Sequence, residues 1–493
     1  MIMQSSSSGS SPQAPWDTSA TAGSPSSTPS LGGCPGQEKL PPDTTMSGPL
    51  PGRYLKPSAR RVKIQTGFPQ PELLDLPWST PLAEWPDDVL VAYPRGISRH
   101  VVRFAQVGDR VLAAKETTAR NAAREYDLLR RLRQLGTPCV VPVAVVTERH
   151  SRDGEELPAV LLTEHLNFSL PYRVLFSEHP DANIADKLVD ALALLLVQLH
   201  LAGFYWGDVS LSNTLFLRDA GRFAAYLVDA ETGELHPQLT KGQRSYDLEL
   251  ARTNVAGELM DLLAGFHDDS HEGPPLDPSM TTGEKAHYEP AAATTALTQI
   301  VSSAPVPVDP FITSERIVET YQKLWAELTG AERFPHEQRW RVAERIKRLN
   351  DLGFDVEEAS LDTDDDGYVQ LVPRVVEPGH HSRQLHNITG MNARENQARR
   401  ILTDIAQFGR ALYPGLPDDL TGALWMQEVY SKIMSAVPAD LRTKREPAEI
   451  VHEVLEHRWF LSERLRQDVP TSQAVEDYVE SQLRSRPDEQ VML

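Results

Sequence analysis

The segment 200–234, HLAGFYWGDVSLSNTLFLRDAGRFAAYLVDAETGE, limits what this chain can fold into more than any other. Upstream of it, 184–203 carries Ala185, Leu188, Leu192, Leu195, Leu196 and Leu199 on one helical face. Gly203 then stands where a C-capping glycine ends such a helix. A polar loop follows with Asp208 and, five residues later, Asn213. Two short apolar runs come next and read as a hairpin, with Asn213 just before the first and Asp229 closing the second. Any fold that keeps this order brings two carboxylates and a carboxamide to one end of a helix–loop–hairpin unit.

Phosphoryl transfer from ATP uses such parts. One carboxylate orients the attacking hydroxyl, while a carboxamide oxygen and a second carboxylate hold Mg²⁺ on the phosphates. The Asp-to-Asn spacing is common by itself, and its weight comes from residues upstream. Lys115 closes the strand-like run RVLAAK. Over 117–135 the period turns helical, and Glu125, Leu128, Leu129 and Leu132 share a face. Glu125 therefore points inward, where an unpaired carboxylate is costly, and Lys115 is its natural partner. Lys115 and Glu125 are thus the candidate nucleotide-binding pair, Asp208 the candidate catalytic residue, and Asn213 and Asp229 the candidate metal ligands. His200 reads as a hydrogen-bonded core histidine rather than a catalyst.

Composition assigns the rest of the chain. Residues 1–52 are rich in Ser, Pro, Gly and Thr and read as a disordered tail, with Met46 as an alternative start. Residues 53–86 form a lead-in punctuated by prolines, with a basic strip expected to be solvated. Ordered structure is expected from about Asp87: three strands, the 117–135 helix and two more strands, then the helices and hairpin around Asp208. This makes 87–266 one domain. A Pro/Thr/Ser-rich linker at 267–309 leads to a mainly helical domain, 310–493, interrupted by a short β insert. The expected class is α+β, a two-lobed domain followed by a mainly α-helical one.

The chain has 69 acidic against 49 basic residues, a balance that argues against nucleic acid as the main partner and favours a metal-bridged anionic ligand. Its two cysteines exclude a disulfide framework and fit a reducing cytoplasm. The start lacks the basic and apolar regions of a signal peptide, and the longest apolar run is too short to span a bilayer. A cytoplasmic protein is expected.

The run LHLAGFYWGDVSLSN resembles the lipopolysaccharide-kinase (Kdo/WaaP-like) branch of the protein-kinase-like superfamily, where Leu-His-x-x-Gly leads into Gly-Asp-x-x-x-x-Asn. The resemblance covers roughly 90–265. It implies a catalytic role for Asp208, metal roles for Asn213 and Asp229, and the strand-lysine and helix-glutamate roles for Lys115 and Glu125. It also implies that Asp247 braces the catalytic loop. Further on, HNITGMNARENQARRILTDIAQF and HEVLEHRWFLSE resemble bacterial proteins grouped as domain of unknown function 4032.

Departures from protein kinases are specific. Gly96 stands alone where a Gly-rich loop would lie, and Ala230-Glu231 follows Asp229 in place of Phe-Gly. Trp206-Gly207 replaces His-Arg, Ser210 stands where a Lys is usual, and no Ala-Pro-Glu element follows. Two readings stay open. One is an ATP- and Mg²⁺-dependent phosphotransferase acting on a hydroxyl acceptor. The other is an ATP-binding pseudokinase or scaffold whose C-terminal helices bind a protein partner, with Arg458, Trp459 and Phe460 as the anchor. The acidic run Asp362-x-Asp364-x-Asp366-Gly367 opens like a calcium loop but has Pro373 where the closing Glu belongs, and His380, His381 and His386 cluster without paired carboxylates at ligand spacing. Neither is expected to bind metal. Trp425, Trp459 and Phe460 are expected in the core.

Overall fold

The computed structural model describes residues 62–91, 100–176, 182–264, 308–363 and 368–490. All of them lie within the unit Ala59–Leu493. The expected tail, most of the expected linker, Gly96 and the 364–367 part of the acidic run lie outside the described residues.

The N-terminal part is built on a six-stranded antiparallel sheet in the order β1-β5-β6-β4-β3-β2. Its strands are β1 (Lys63–Thr66), β2 (Leu90–Val91), β3 (Val102–Val107), β4 (Arg110–Thr117), β5 (Val141–Thr147) and β6 (Ala159–Glu164). Period-two alternation sets the faces of β4: Leu112 and Ala114 are fully buried on one side, and Ala113 and Lys115 point to the other. Helix α1 (Ala119–Gln134) covers the second side with Ala122, Glu125, Tyr126, Leu128, Leu129 and Leu132, after Thr118 caps it by accepting from the Asn121 amide.

Order begins earlier than Asp87. Residues 63–66 pair with β5, and two 3-10 turns place Leu73, Leu76, Trp78, Leu82 and Trp85 over the first face of the sheet. Buried Arg149 clamps this cover. It donates to Trp78 O at 3.2 Å and Thr80 O at 2.6 Å, and pairs with Glu116 at 2.9 Å. The apolar side chains hang from proline-punctuated turns at irregular spacing, so no sequence period marked them.

Helix α2 (Tyr172–Leu175) and the long α3 (Ala182–Leu201) follow. Gly203, at φ +80°, ends the α3 turn with the His236 carbonyl oxygen only 2.0 Å from where a Cβ would sit, so no side chain fits there. Strand β7 (Phe204–Tyr205), the Asp208 loop, the hairpin β8 (Thr214–Asp219) and β9 (Arg222–Leu227), then β10 (Glu234–Leu235) and α4 (Lys241–Leu263) complete this part.

The next helix, α5 (Pro310–Thr329), packs against α3 and α4, with Ile317, Tyr321 and Leu328 in the same apolar core as Leu192 and Leu199. Arg316 fixes it by a two-pronged contact to Asp190, at 2.8 and 2.7 Å. Beyond it lie a three-stranded sheet of β11 (Glu332–Pro335), β12 (Phe354–Thr363) and β13 (Tyr368–Pro378), and helices α6 (Trp340–Asp351), α7 (His380–Thr389), α8 (Glu395–Leu412), α9 (Asp418–Trp425), α10 (Ser431–Ala436), α11 (Pro447–Leu465) and α12 (Thr471–Ser481). A second core contains Ile401, Ile405, Trp425, Ile433, Ile450, Val454 and Tyr478. Trp459 and Phe460, expected with Trp425 in the core, are instead 58% and 56% exposed, because α11 turns that end of its surface to solvent. A six-stranded antiparallel sheet with helices, followed by a mostly helical region, is the observed α+β class.

Trp78→Ala tests the cover. It deletes a buried ring and its Nε1 hydrogen bond to Leu73 O, and should cost about 3–5 kcal/mol of unfolding free energy in urea melts. A loss under about 1 kcal/mol would mean that the 62–86 segment contributes little to the sheet.

Candidate active site

Lys115 sits on the helix-facing side of β4, and α1 brings Glu125 beneath it. Its Nζ lies 3.0 Å from Glu125 Oε2, 2.7 Å from Asp229 Oδ2 and 3.2 Å from Glu231 Oε2. The three carboxylates each place an oxygen within 4.8 Å of the other two. Burial alone would lower the Lys115 pKa, but Glu125 and Asp229 outweigh it and hold the ammonium charged, well above its ordinary value. Glu125 is pushed up to about 7, first by burial and then by the Asp229 charge, against the pull of Lys115. Glu231 has two further partners: Asn121 Nδ2 donates to its Oε1 at 2.7 Å, and His100 Nε2 lies 3.0 Å from its Oε2.

Asp208 and Asn213 meet on the loop between β7 and β8. Asn213 Nδ2 donates to Asp208 Oδ2 at 3.0 Å and to the Asp208 carbonyl at 3.1 Å. The register Thr214↔Leu227 and a hydrogen bond from Val228 N to Asn213 O, 3.1 Å, set Asn213 beside the strand end that carries Asp229. Trp206, fully buried, donates from Nε1 to the Asp229 carbonyl at 3.2 Å. Loop and Asp229 are therefore joined through the backbone.

Helix α4 supplies acceptors to a loop whose own amides have no strand partner. Buried Asp247 accepts from Trp206 N and Gly207 N, both at 2.8 Å. Asn254 Nδ2 donates to Val209 O at 2.9 Å. Glu258 accepts from Leu211 N at 2.8 Å, and from Ser212 N at 2.9 Å and Ser212 Oγ at 2.5 Å. Burial raises the Glu258 pKa, though these bonds oppose the rise. His200 closes the network from α3: Nε2 lies 3.1 Å from Asp247 Oδ2, and Nδ1 lies 2.7 Å from the Tyr321 hydroxyl of α5. Burial lowers the His200 pKa, which favours a neutral ring that donates to Asp247 and accepts from Tyr321.

Residues 103–257 match the lipopolysaccharide kinase (Kdo/WaaP) family. Residues 323–483 match a domain of unknown function, DUF4032. Both resemblances seen in the motifs are thereby borne out. No curated protein matches the chain. Among solved structures, one described as WaaP in complex with acyl carrier protein aligns over 54% of this chain and 90% of its own, at 17% identity and a TM-score of 0.28. No helix among the described residues is long and apolar enough to cross a membrane.

The lipopolysaccharide-kinase match spans Lys115, Glu125, Asp208, Asn213, Asp229 and Asp247, and such a family implies use of a nucleotide, ordinarily with a divalent cation. The side chains suit that pair: an ammonium for phosphate, and hard oxygen donors from Asp229 and Asn213 for a Mg²⁺-like ion. Sequence reasoning missed Glu231, Asn254, Glu258 and Tyr321. A signal for two of them was present, because Asp247, Asn254 and Glu258 fall at i, i+7 and i+11, a polar stripe beside the buried Leu248, Ala251, Val255 and Leu259. Glu231 read only as a departure from the usual glycine. Tyr321 lies outside both matched segments, and nothing local marks it.

Asp247→Ala should free two backbone amides in a dry environment and cost about 3 kcal/mol or more. Its specific signature is faster hydrogen exchange at Trp206 and Gly207. Tyr321→Phe removes one bond to His200 and should cost about 1 kcal/mol. Unchanged exchange at Trp206 and Gly207 in Asp247→Ala would show that the loop holds itself.

Proposed function

We propose that the 87–266 part is an ATP- and Mg²⁺-dependent phosphotransferase acting on a hydroxyl acceptor, and that the 310–493 part supports it and offers a surface to a partner. The observation that carries this reading is the junction of Lys115 with both Glu125 and Asp229, at 3.0 and 2.7 Å, beside a loop that presents Asp208. Lys115 and Asp229, 114 residues apart in sequence, meet directly, which supports a strand lysine and a second carboxylate working on one phosphate group. Lys115 would receive phosphate oxygens, with Glu125 orienting the ammonium. Asp229 and the carboxamide oxygen of Asn213 would hold the cation, since Asn213 Nδ2 is already spent on Asp208. The bound nucleotide supplies the transferable phosphoryl group, and its cation offsets the phosphate charge. Asp208, with one carboxylate oxygen fixed by Asn213, would align the acceptor hydroxyl and take up its proton.

A nucleotide-binding scaffold is the second reading. Ser210 in the place of the usual loop lysine favours it, since a phosphate-neutralising charge is missing there. The acidic balance and scarce cysteines fit a cytoplasmic setting for either.

Two variants separate these readings. Asp229→Ala should abolish the Mg²⁺-dependent part of the thermal stabilisation by ATP, because a ligand that binds only the native state raises its stability. Equal stabilisation of wild type and variant would remove Asp229 from the site. Asp208→Asn should lower kcat by about a hundredfold to ten-thousandfold while the Kd for ATP hardly moves. Wild type that binds Mg–ATP but turns over with no acceptor in a metabolite extract, nor with water, would make the scaffold reading the correct one.

A further inference from the structure

We propose that Glu231 is a built-in competitor for the nucleotide phosphates, occupying Lys115 until they arrive and then withdrawing onto Asn121 and His100. The inference rests on the nucleotide reading given above and adds to it a residue that sets affinity.

Lys115 donates to Asp229 Oδ2 at 2.7 Å and to Glu125 Oε2 at 3.0 Å, and Glu231 Oε2 stands beside the same Nζ at 3.2 Å as an ion pair. With three carboxylate oxygens within 3.2 Å of Nζ, an anionic phosphate oxygen approaches it most readily if one of them gives way. Glu125 is the most costly to move, because its side chain is buried and its other oxygen faces the Ala230 amide at 3.4 Å. Asp229 has the shortest contact to Lys115, and its Oδ1 accepts from Glu231 N at 2.9 Å. Glu231 has the longest contact and is partly exposed. It also keeps two partners after leaving Lys115, the Asn121 amide at 2.7 Å and His100 at 3.0 Å. Losing Lys115 therefore leaves Glu231 neither buried nor unpaired. The charge balance agrees: three carboxylates around one ammonium repel an incoming polyphosphate, and a divalent cation relieves that repulsion. Glu231 thereby biases the site toward metal-loaded nucleotide over free nucleotide.

The test is calorimetric titration of the full chain with ATP, with and without Mg²⁺. Glu231→Gln should bind metal-free ATP about tenfold more tightly than wild type, the scale of one neighbouring charge, and Mg–ATP with a smaller gain. Asn121→Ala removes the seat to which Glu231 withdraws. It should weaken ATP binding in the wild-type background and have no effect when combined with Glu231→Gln, a non-additivity that general loss of structure would not give. Glu231→Gln binding that is unchanged or weaker, while wild type binds Mg–ATP, would overturn the competitor role and leave the nucleotide reading standing. Binding by Glu231→Gln alone would support the inference. Binding by neither protein would overturn both.

Discussion

The buried carboxylate of Asp247 is the interaction on which this architecture depends. It lies fully inside the protein, yet each oxygen has a partner: the Trp206 and Gly207 amides from the loop, and His200 from α3. A charge in such a place is tolerated only when it is fully hydrogen-bonded, so the elements that supply donors are held in one arrangement. Asp208 follows directly on Gly207. Its position is set by the bonds its predecessors make to Asp247 together with the two bonds that Asn213 donates to it. Through Tyr321 the same network reaches α5, which links the segment that resembles lipopolysaccharide kinases to the segment that follows.

Around Lys115 the physics runs the other way. One ammonium is surrounded by Glu125, Asp229 and Glu231, and the cluster carries excess negative charge. Burial pushes Glu125 up while the same carboxylates hold Lys115 charged. Such a cluster is complete as a hydrogen-bonded structure and unbalanced as an electrostatic one. A divalent cation would offset that charge.

A third polar cluster joins the hairpin to the C-terminal helices. Asp219, at the tip, accepts from Gln397 N at 2.8 Å, Asn396 N at 3.2 Å and Asn396 Nδ2 at 2.8 Å, and so serves as the acidic group at the start of α8. Ala220 N donates to Glu449 at 3.1 Å, and Arg218 pairs with Glu489 at 2.7 Å. Arg445 is fully buried and shares Glu489 at 2.9 Å. Part of the ARENQ motif in the C-terminal stretch thus docks the hairpin: Asn396 and Gln397 meet its tip. Glu395 instead accepts from His381 and Ser382 at the start of α7. The other end of that hairpin carries Asp229, so this docking and the candidate site share one β ribbon.

Elements with a strong period or a strict order were legible in the sequence. The α3 stripe ending at Gly203, the Leu-rich face of α1 that turns Glu125 inward, and the sequence Asp208, Asn213, Asp229 are local patterns, and backbone geometry converts them directly into positions. That Lys115 meets Glu125 followed from the helix period that turns Glu125 inward and from the strand-like run that Lys115 closes. Tertiary structure alone decided the rest. The cover of Leu73, Trp78 and Trp85 has no period, because 3-10 turns set its side chains one at a time. Glu231 gained its meaning only when its chain passed Lys115, Asn121 and His100. Tyr321 reached His200 across a gap of 121 residues. Contacts of that kind depend on how whole helices pack, and packing is decided by summed apolar burial over many residues rather than by any local spacing.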